Sequence, residues 1–326
     1  MDTGTEEKRT RFVVVGGGFG GVYAALHLAQ YDPEGYEIEV ILVSDRNHFT
    51  FTPLLHDVLG GSLSGHHVAV PYRVLGERVG FRFVQARMDG LDRDRGAIET
   101  TVGPIDYDYL ILALGARPAA RVRGPRPAEL GEDSVGPVVT PFHRIPDAVW
   151  MHDRVLDLAE RCVRTDDEAE RRRLLTFVVG GGGPAGVEAA GELLQLLHSV
   201  LPRYYDCLEG ARVVLVHGDE RILRGWDADL ARRGQETLRE AGLELHLETR
   251  LGEVTDQGVR ISPEGGGEEQ EIEAMTVIDA TGNIPNSGCL EDSGLPLDDE
   301  GRIRVDEHLR VEGEARIFAV GDVNDL

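Results

Sequence analysis

Hydrophobic residues fall along the chain in two patterns that take turns. Short β-branched runs at 11–15 and 38–43 enclose a glycine cluster, 16–21, and a stretch, 22–30, in which Ala24, Ala25, Leu26, Leu28 and Ala29 recur at helical spacing. A buried strand, a glycine turn, a helix and a second strand in that order predict a βαβ unit. The same order returns at 174–179, 180–186, 187–198 and 213–216. The two glycine turns start 165 residues apart, Gly16 to Gly181. That is too far for a solenoid repeat and suits two copies of one mononucleotide-binding architecture. Further strands are predicted at 82–86, 109–113 and 316–320, and a Pro- and Gly-rich crossover linker at 116–141. The acidic-then-basic run at 166–173 reads as a solvated helix face, 262–270 as a polar hairpin tip, and 298–311 as short strands and turns.

Composition narrows the class. The chain has 326 residues, 41% of them hydrophobic, enough to bury the cores of two domains. With 34 Lys+Arg against 58 Asp+Glu the formal charge is −24. Such an acid excess excludes a nucleic-acid binder and docking on anionic lipid through a basic face. Lys8 is the lone lysine. The three cysteines, Cys162, Cys207 and Cys289, lie far apart in sequence without a CxxC pair, so neither a zinc ribbon nor a dithiol centre is encoded, and a reducing cytoplasm is the expected setting. The polar start of the chain lacks the apolar core of a signal peptide, and no run of 18 apolar residues occurs.

The glycine excess, 41 residues, concentrates the candidate chemistry. Gly16, Gly18 and Gly21 fit GxGxxG directly after a strand and opening a helix. The first allows the tight turn, the second lets backbone approach a pyrophosphate, and the third lets helix and strand pack closely. The pyrophosphate would sit on free N–H groups at the positive helix end. An acid is expected after the second strand to bond the ribose hydroxyls, and Ser44-Asp45 stands there; hydroxyl or carboxylate would serve. Gly181, Gly183 and Gly186 form the second match, with Pro184 suited to the first turn of the helix. Glu188 and Glu192 share one helix face, and Glu188 is close to the turn. His217 stands where the second acid is expected. An imidazole does not favour a free ribose diol as a carboxylate does, and when protonated it tolerates a 2′-phosphate. Two dinucleotide sites in one chain imply hydride transfer between a nicotinamide and a flavin, whose reacting atoms must approach to roughly 3–3.5 Å. Gly321-Asp322 after the last strand suits a flavin ribityl hydroxyl.

These segments resemble the flavoproteins with two dinucleotide-binding domains, and among them most closely the type II NADH dehydrogenases, the non-proton-pumping NADH:quinone oxidoreductases. The resemblance rests on 13–21, on Ser44-Asp45-Arg46-Asn47-His48-Phe49-Thr50-Phe51-Thr52-Pro53-Leu54-Leu55, on 107–115, on 175–188, on Arg221-Ile222-Leu223 and on Phe318-Ala319-Val320-Gly321-Asp322. It implies an α/β fold of two Rossmann-like domains. A discontinuous FAD domain would comprise 1–135 and 283–326, with an NAD(P)H domain, 136–282, inserted into it. It further implies that Gly16, Gly18, Phe19, Gly20, Gly21 and the Ser44-Asp45-Arg46 corner hold the FAD pyrophosphate and ribose. Pro53 and Leu54 would lie by the flavin, Met88 would meet the adenine through its backbone, Ala113 to Gly115 would cross near the pyrophosphate, and Gly321 and Asp322 would meet the ribityl chain. Gly181, Gly183, Pro184, Ala185, Gly186, His217 and Gly282 would receive NADH, or NADPH, with Glu188 beside the nicotinamide as the catalytic residue. A quinone would be the electron acceptor, the chain a homodimer, and its place the cytoplasm, at the inner face of the cell membrane in a full-length protein that carries the C-terminal segment.

Three positions depart from that pattern. His217 replaces the usual acid, which opens the choice between NADH and NADPH. Leu114 stands where Thr is common. The chain stops four residues after Asp322, where the family continues with a helix over the flavin and an amphipathic, membrane-docking segment. Either the sequence is a fragment, or quinone reduction and membrane attachment are compromised. Two other readings stay open: a soluble reductase of a small electron carrier, and a non-catalytic flavin-binding protein whose redox state alters a partner surface. A disulfide or sulfide reductase would need paired cysteines near the flavin, and none lies in 16–60 or in the second glycine turn.

Overall fold

A computed structural model describes residues 9–31, 37–129 and 136–326. The polar start of the chain with Lys8, and residues 130–135 of the expected linker, lie outside the described residues. β1 (Arg9–Val15) runs through the first glycine turn into α1 (Phe19–Gln30) and back along β2 (Glu37–Ser44). α2 (Leu55–Leu59), α3 (Tyr72–Val79), β3 (Arg82–Gln85) and β4 (Tyr109–Leu112) follow. β5 (Val138–Pro141) and α4 (Ile145–Arg164) precede the second copy: β6 (Thr176–Gly180), α5 (Pro184–Gln195), β7 (Arg212–Val216), α6 (Ala228–Glu240) and β8 (Leu243–His246). β9 (Thr276–Asp279) and β10 (Ile317–Ala319) complete the parallel strands.

The strands form two parallel sheets that agree in four of their five positions, the edge strand being last in chain order in one and first in the other. One reads β10-β4-β1-β2-β3 and the other β5-β9-β6-β7-β8. Each is the doubly wound order of a mononucleotide-binding fold. The likeness extends past the βαβ units seen in the sequence. An antiparallel trio, Met88–Asp92, Ala97–Thr100 and Ile105–Asp106, lies between β3 and β4, and another, Thr249–Val254, Gly258–Pro263 and Gln270–Glu273, between β8 and β9. The turn between the last two of these strands is the polar hairpin tip expected near 262–270.

Alternating side chains fill both faces of each sheet, as the pleat requires. In the first, Val13 and Val15 pack with Ile41, Val43, Leu110 and Leu112, while Val14 packs on the other side with Val22, Leu42 and Phe83. In the second, Phe177 and Val179 meet Val213, Leu215 and α5's Leu193, while Val178 meets Val214, Val216 and Val277. Burial on both faces explains the continuous apolar runs in place of apolar–polar alternation.

By their contacts the described residues fall into two units: one runs up to Thr50 and includes Ala69–Arg117 and Asn283–Leu326, the other Phe51–Val68 and Pro118–Gly282. These boundaries differ from those expected at 135 and 136. Residues 51–68 group with the second unit because α2 buries Leu55, Val58 and Leu59 in its core, with Met151 and Leu193. Among the described residues, the expected linker 116–141 is also partly structure. Val122 and Val139 are fully buried in the second unit, and β5 is the outer strand of its sheet. Helix α1 begins at Phe19, three residues before the apolar spacing starts, and α5 gives way to a π turn, Leu196–Val200. The charged run forms the helix Glu168–Leu174, capped by the Asp167 carboxylate, which accepts from the Ala169 N–H at 2.8 Å. Residues 298–311 are turns tied by isolated bridges, Leu297–Ile303 and Val305–Val311. Among the described residues no helix is long and apolar enough to cross a membrane.

Leu193 is fully buried between α5 and the second sheet. Leu193→Ala removes its contacts and leaves a cavity, so the variant unfolds at lower urea concentration, a loss of about 2–5 kcal/mol.

Candidate functional site

The first glycine turn is held by strand ends on both sides. The Gly16 N–H donates to the Val43 carbonyl at 2.8 Å, and the Ala113 N–H to that of Val15 at 2.7 Å. Gly16 takes φ +112, and a Cβ there would stand 2.0 Å from the Ala113 carbonyl oxygen. A Cβ on Gly21 would stand 1.8 Å from the carbonyl oxygen of Gly16. Helix and strand thus approach backbone to backbone. Gly18 differs: a Cβ on it would meet nothing within 4 Å. It is the N-cap of α1, no side chain caps the helix, and its first turn holds no acid. The open space beside Gly18 and a helix start that no side chain caps together make an anion cradle.

The second turn repeats these relations. The Gly181 N–H donates to the Val216 carbonyl at 2.8 Å and the Ala280 N–H to that of Gly180 at 2.9 Å. A Cβ on Gly181 would stand 2.1 Å from the Ala280 carbonyl oxygen, one on Gly186 2.0 Å from that of Gly181, and one on Gly183 would meet nothing within 4 Å. Gly183 caps α5 without a side chain and Pro184 opens it. Ala185 and Glu188 are exposed on its first turns. Gly282, exposed and at φ +131, stands to Ala280 as Gly115 does to Ala113.

Nearly all the expected residues of the first unit collect at the carboxyl edge of its sheet. That edge presents Gly16 to Gly18 after β1, Ser44-Asp45-Arg46 after β2, Met88 just past β3, Ala113 to Gly115 after β4 and Gly321-Asp322 after β10. Open α/β sheets bind ligands outside this edge. Phe19 is partly exposed and edge-on to Phe49, and Gly20 packs on Val320. Ser44 is buried and its Oγ accepts from the Arg46 N–H at 3.3 Å, whereas Asp45 is exposed. Asp322 is exposed on a turn closed by the Asn324 N–H to the Gly321 carbonyl at 3.0 Å. Met88 is 5% exposed, so what it offers is backbone. Pro53 and Leu54 occupy a short 3-10 turn leading into α2, in the second unit.

Three residues that the sequence did not single out support these turns. Tyr72, fully buried on α3, donates its hydroxyl to the Gly17 carbonyl, and desolvation pushes its pKa up to about 12, so it stays a donor. Asp279 accepts from the Val122 N–H at 3.2 Å and from the Thr281 hydroxyl at 2.6 Å, which shapes the turn before Gly282. His56 on α2 places Nδ1 3.6 Å from the Glu188 carboxylate, beside Glu192, whose carboxyl is raised by burial. A helix position in an apolar stretch carries no mark of such partners.

The register identifies His217 as the counterpart of Ser44, since Val15 pairs with Val43 and Gly180 with Val216. Its ring lies under the turn. Nδ1 accepts from the Gly182 N–H at 3.1 Å and Nε2 stands 3.4 Å from Asp219. Desolvation lowers its pKa, so the ring is neutral near pH 7 and is no cation for a phosphate. Protonation, the condition under which the ring would tolerate a 2′-phosphate, is thus disfavoured by its burial. A cleft of about 820 Å³ opens here, at the carboxyl edge of the second sheet, lined by the glycine turn, Asp219, Arg224, Trp226, Arg250 and Gly282 among others. Cys162 and Cys207, distant in sequence, meet in the second unit, the Cys162 thiol donating to the Cys207 carbonyl at 3.4 Å. Among the described residues no cysteine lines the cleft.

Comparison with known proteins follows the same lines. The family model for pyridine nucleotide-disulphide oxidoreductases matches residues 10–325. The type II NADH:quinone oxidoreductase Ndh of Mycobacterium tuberculosis is 29% identical over 333 residues, spanning 98% of this chain and 68% of that protein. An alternative NAD(P)H-ubiquinone oxidoreductase C1 of Arabidopsis thaliana is 31% identical over 352 residues, spanning 98% of this chain and 62% of its own length. A solved structure of NDH2 from Plasmodium falciparum in complex with NADH superposes with TM-score 0.82 at 22% identity, covering 97% of this chain and 64% of that one, a likeness of fold.

Gly186→Ala forces helix and strand apart and lowers stability by about 1–3 kcal/mol, whereas Gly183→Ala leaves the thermal midpoint nearly unchanged. His217 gives a second test. The unfolded chain takes up its proton first as pH falls through about 6.5, so stability is lost from there toward the lowered folded value. Between about pH 7 and about pH 5 the native chain loses more stability than His217→Asn, read from paired urea titrations.

Proposed function

Since the chain belongs to the pyridine nucleotide-disulphide oxidoreductase family, we propose that it is an FAD-dependent NAD(P)H dehydrogenase that delivers electrons to a quinone. The observation that carries this reading is the duplicated cradle. In both units the middle glycine faces open space while its two companions are locked against backbone, as a site kept for a ligand requires. The relatives are named as NADH:quinone and NAD(P)H-ubiquinone oxidoreductases, and the chain spans about two thirds of their length.

In this reading the first cradle holds FAD. The N–H groups after Gly16 and Gly18 and the start of α1 bind its pyrophosphate. Gly21 lets α1 come close enough for them to do so. Ser44, Asp45 and Arg46 take the adenosine ribose, the Met88 backbone the adenine, and Asp322 accepts from a ribityl hydroxyl. The Tyr72 hydroxyl keeps the Gly17 carbonyl turned away from the phosphates, leaving N–H groups to face them. When bound, the flavin supplies a centre that accepts a hydride and releases electrons singly or in pairs.

The second cradle holds the nicotinamide nucleotide, with its pyrophosphate on the Gly181–Gly183 turn and Gly282 across the cleft. Glu188, exposed on the second turn of α5, orients the nicotinamide end. His56 lies next to it, its Nδ1 3.6 Å from that carboxylate. A quinone is lipid-soluble, so the reading places the chain's work at a membrane surface.

Anaerobic titration of the flavin-loaded protein with NADH and NADPH, followed by a short-chain quinone, tests the reading through visible flavin absorbance. Bleaching by a nucleotide and recolouring by the quinone is the expected result. Flavin that stays yellow with both nucleotides removes the enzyme reading, and bleaching without recolouring removes the quinone.

A further inference from the structure

The corner after β7 is where a nucleotide's adenosine ribose comes to rest in a mononucleotide-binding fold, and its charge decides what the 2′ position carries. That corner is pinned on three sides. The His217 N–H donates to the His246 carbonyl at 2.8 Å, the Thr249 N–H to the His217 carbonyl at 2.9 Å, and the Glu248 N–H to the Asp219 carbonyl at 3.0 Å. The middle bond makes Arg250 the next residue along, so its guanidinium belongs to the same rim of the cleft. Arg224 joins from the other side, its Nη1 3.1 Å from Asp219. Gly218 at the centre has no side chain, and the Glu264 carboxylate stands in the space beside it: a Cβ there would lie 2.5 Å from Oε1.

The carboxylate that selects a free diol is missing from its usual place, where the neutral His217 ring is turned under the glycine turn. Both carboxylates that line the cleft, Asp219 and Glu264, are already engaged. Asp219 is held by Arg224 and faces His217, and Glu264 is held by Arg250. The arginines are not used up by these pairs. Each guanidinium has five N–H donors, and the Arg224 and Arg250 side chains are 75% and 72% exposed, so either can turn toward a second anion at little desolvation cost. Arg121 adds a third cation to the same cleft, which then carries three arginines against two carboxylates.

We propose that this cleft recognises a 2′-phosphorylated adenosine, held by Arg224 and Arg250, and that NADPH is the nucleotide the chain binds in preference to NADH. The inference rests on reading the cleft as a nicotinamide-nucleotide site. Asp219 and Glu264 oppose it: both carboxylates repel the phosphate, and either would accept from a free 2′-hydroxyl.

Calorimetric titration of the flavin-loaded protein with NADP⁺ and NAD⁺, which differ only by the 2′-phosphate, measures the preference directly. NADP⁺ binds at least about tenfold more tightly, and Arg224→Ala and Arg250→Ala each cut the NADP⁺-to-NAD⁺ affinity ratio by about tenfold. Asp219→Asn raises that ratio. Unchanged thermal midpoints show that these exposed positions leave the fold intact. NAD⁺ binding as tightly as NADP⁺, or a preference that survives the double Arg224→Ala/Arg250→Ala variant, overturns the inference and leaves the site reading standing. Failure of both nucleotides to bind overturns the two together.

Discussion

Everything functional in this chain depends on how closely one helix can approach one strand. At both glycine turns the third glycine sits so near the carbonyl of the first that a single methyl group would collide with it. Only that approach brings the uncapped start of the helix over the carboxyl end of the sheet, where its N–H groups point at one place. The middle glycine then contributes by having nothing beside it. Two positions occupied by backbone and one left open make a cradle, and a residue with a Cβ at any of the three defeats it for a different reason.

The duplication runs deeper than the glycine motif. The two sheets share the order of four strands, each carries an antiparallel trio before its fourth strand, and the hydrogen bonds from Gly16 and Gly181 to the neighbouring strand have the same length. The copies part company at the corner after the second strand. Ser44 there is followed by an exposed Asp45 and by Arg46, whereas His217 is followed by Gly218 and an Asp219 tied to Arg224. Equal backbones with unequal corners are how one architecture serves two different nucleotides. The edge strand differs too: β10 comes from the end of the chain and β5 from before the second copy, so equivalent positions are filled from opposite directions.

Supporting groups lie underneath these turns. Tyr72 holds the first turn through the Gly17 carbonyl, and the His217 ring holds the second through the Gly182 N–H. One is a donor kept protonated by burial and the other an acceptor kept neutral by burial. In both, low dielectric fixes the protonation state that the backbone partner needs.

Local order was legible in the sequence. Runs of β-branched residues buried on both faces, and glycines at fixed offsets from them, name strands, turns and helix starts, because those constraints act within ten residues. The residues along the carboxyl edge were legible for the same reason: a strand's end is a sequence position. What the sequence could not show is which distant segments meet. Residues 51–68 belong to the second unit because α2 has an apolar face completed by residues of that unit, Met151 and Leu193 among them. Val138–Pro141 is a strand and not a linker because β9 lies alongside it. The charge at His217 was decided by burial, then by Asp219, Arg221 and Arg224, none of which can be ranked by spacing. Desolvation and partnership are properties of three-dimensional surroundings, and only the folded chain supplies them.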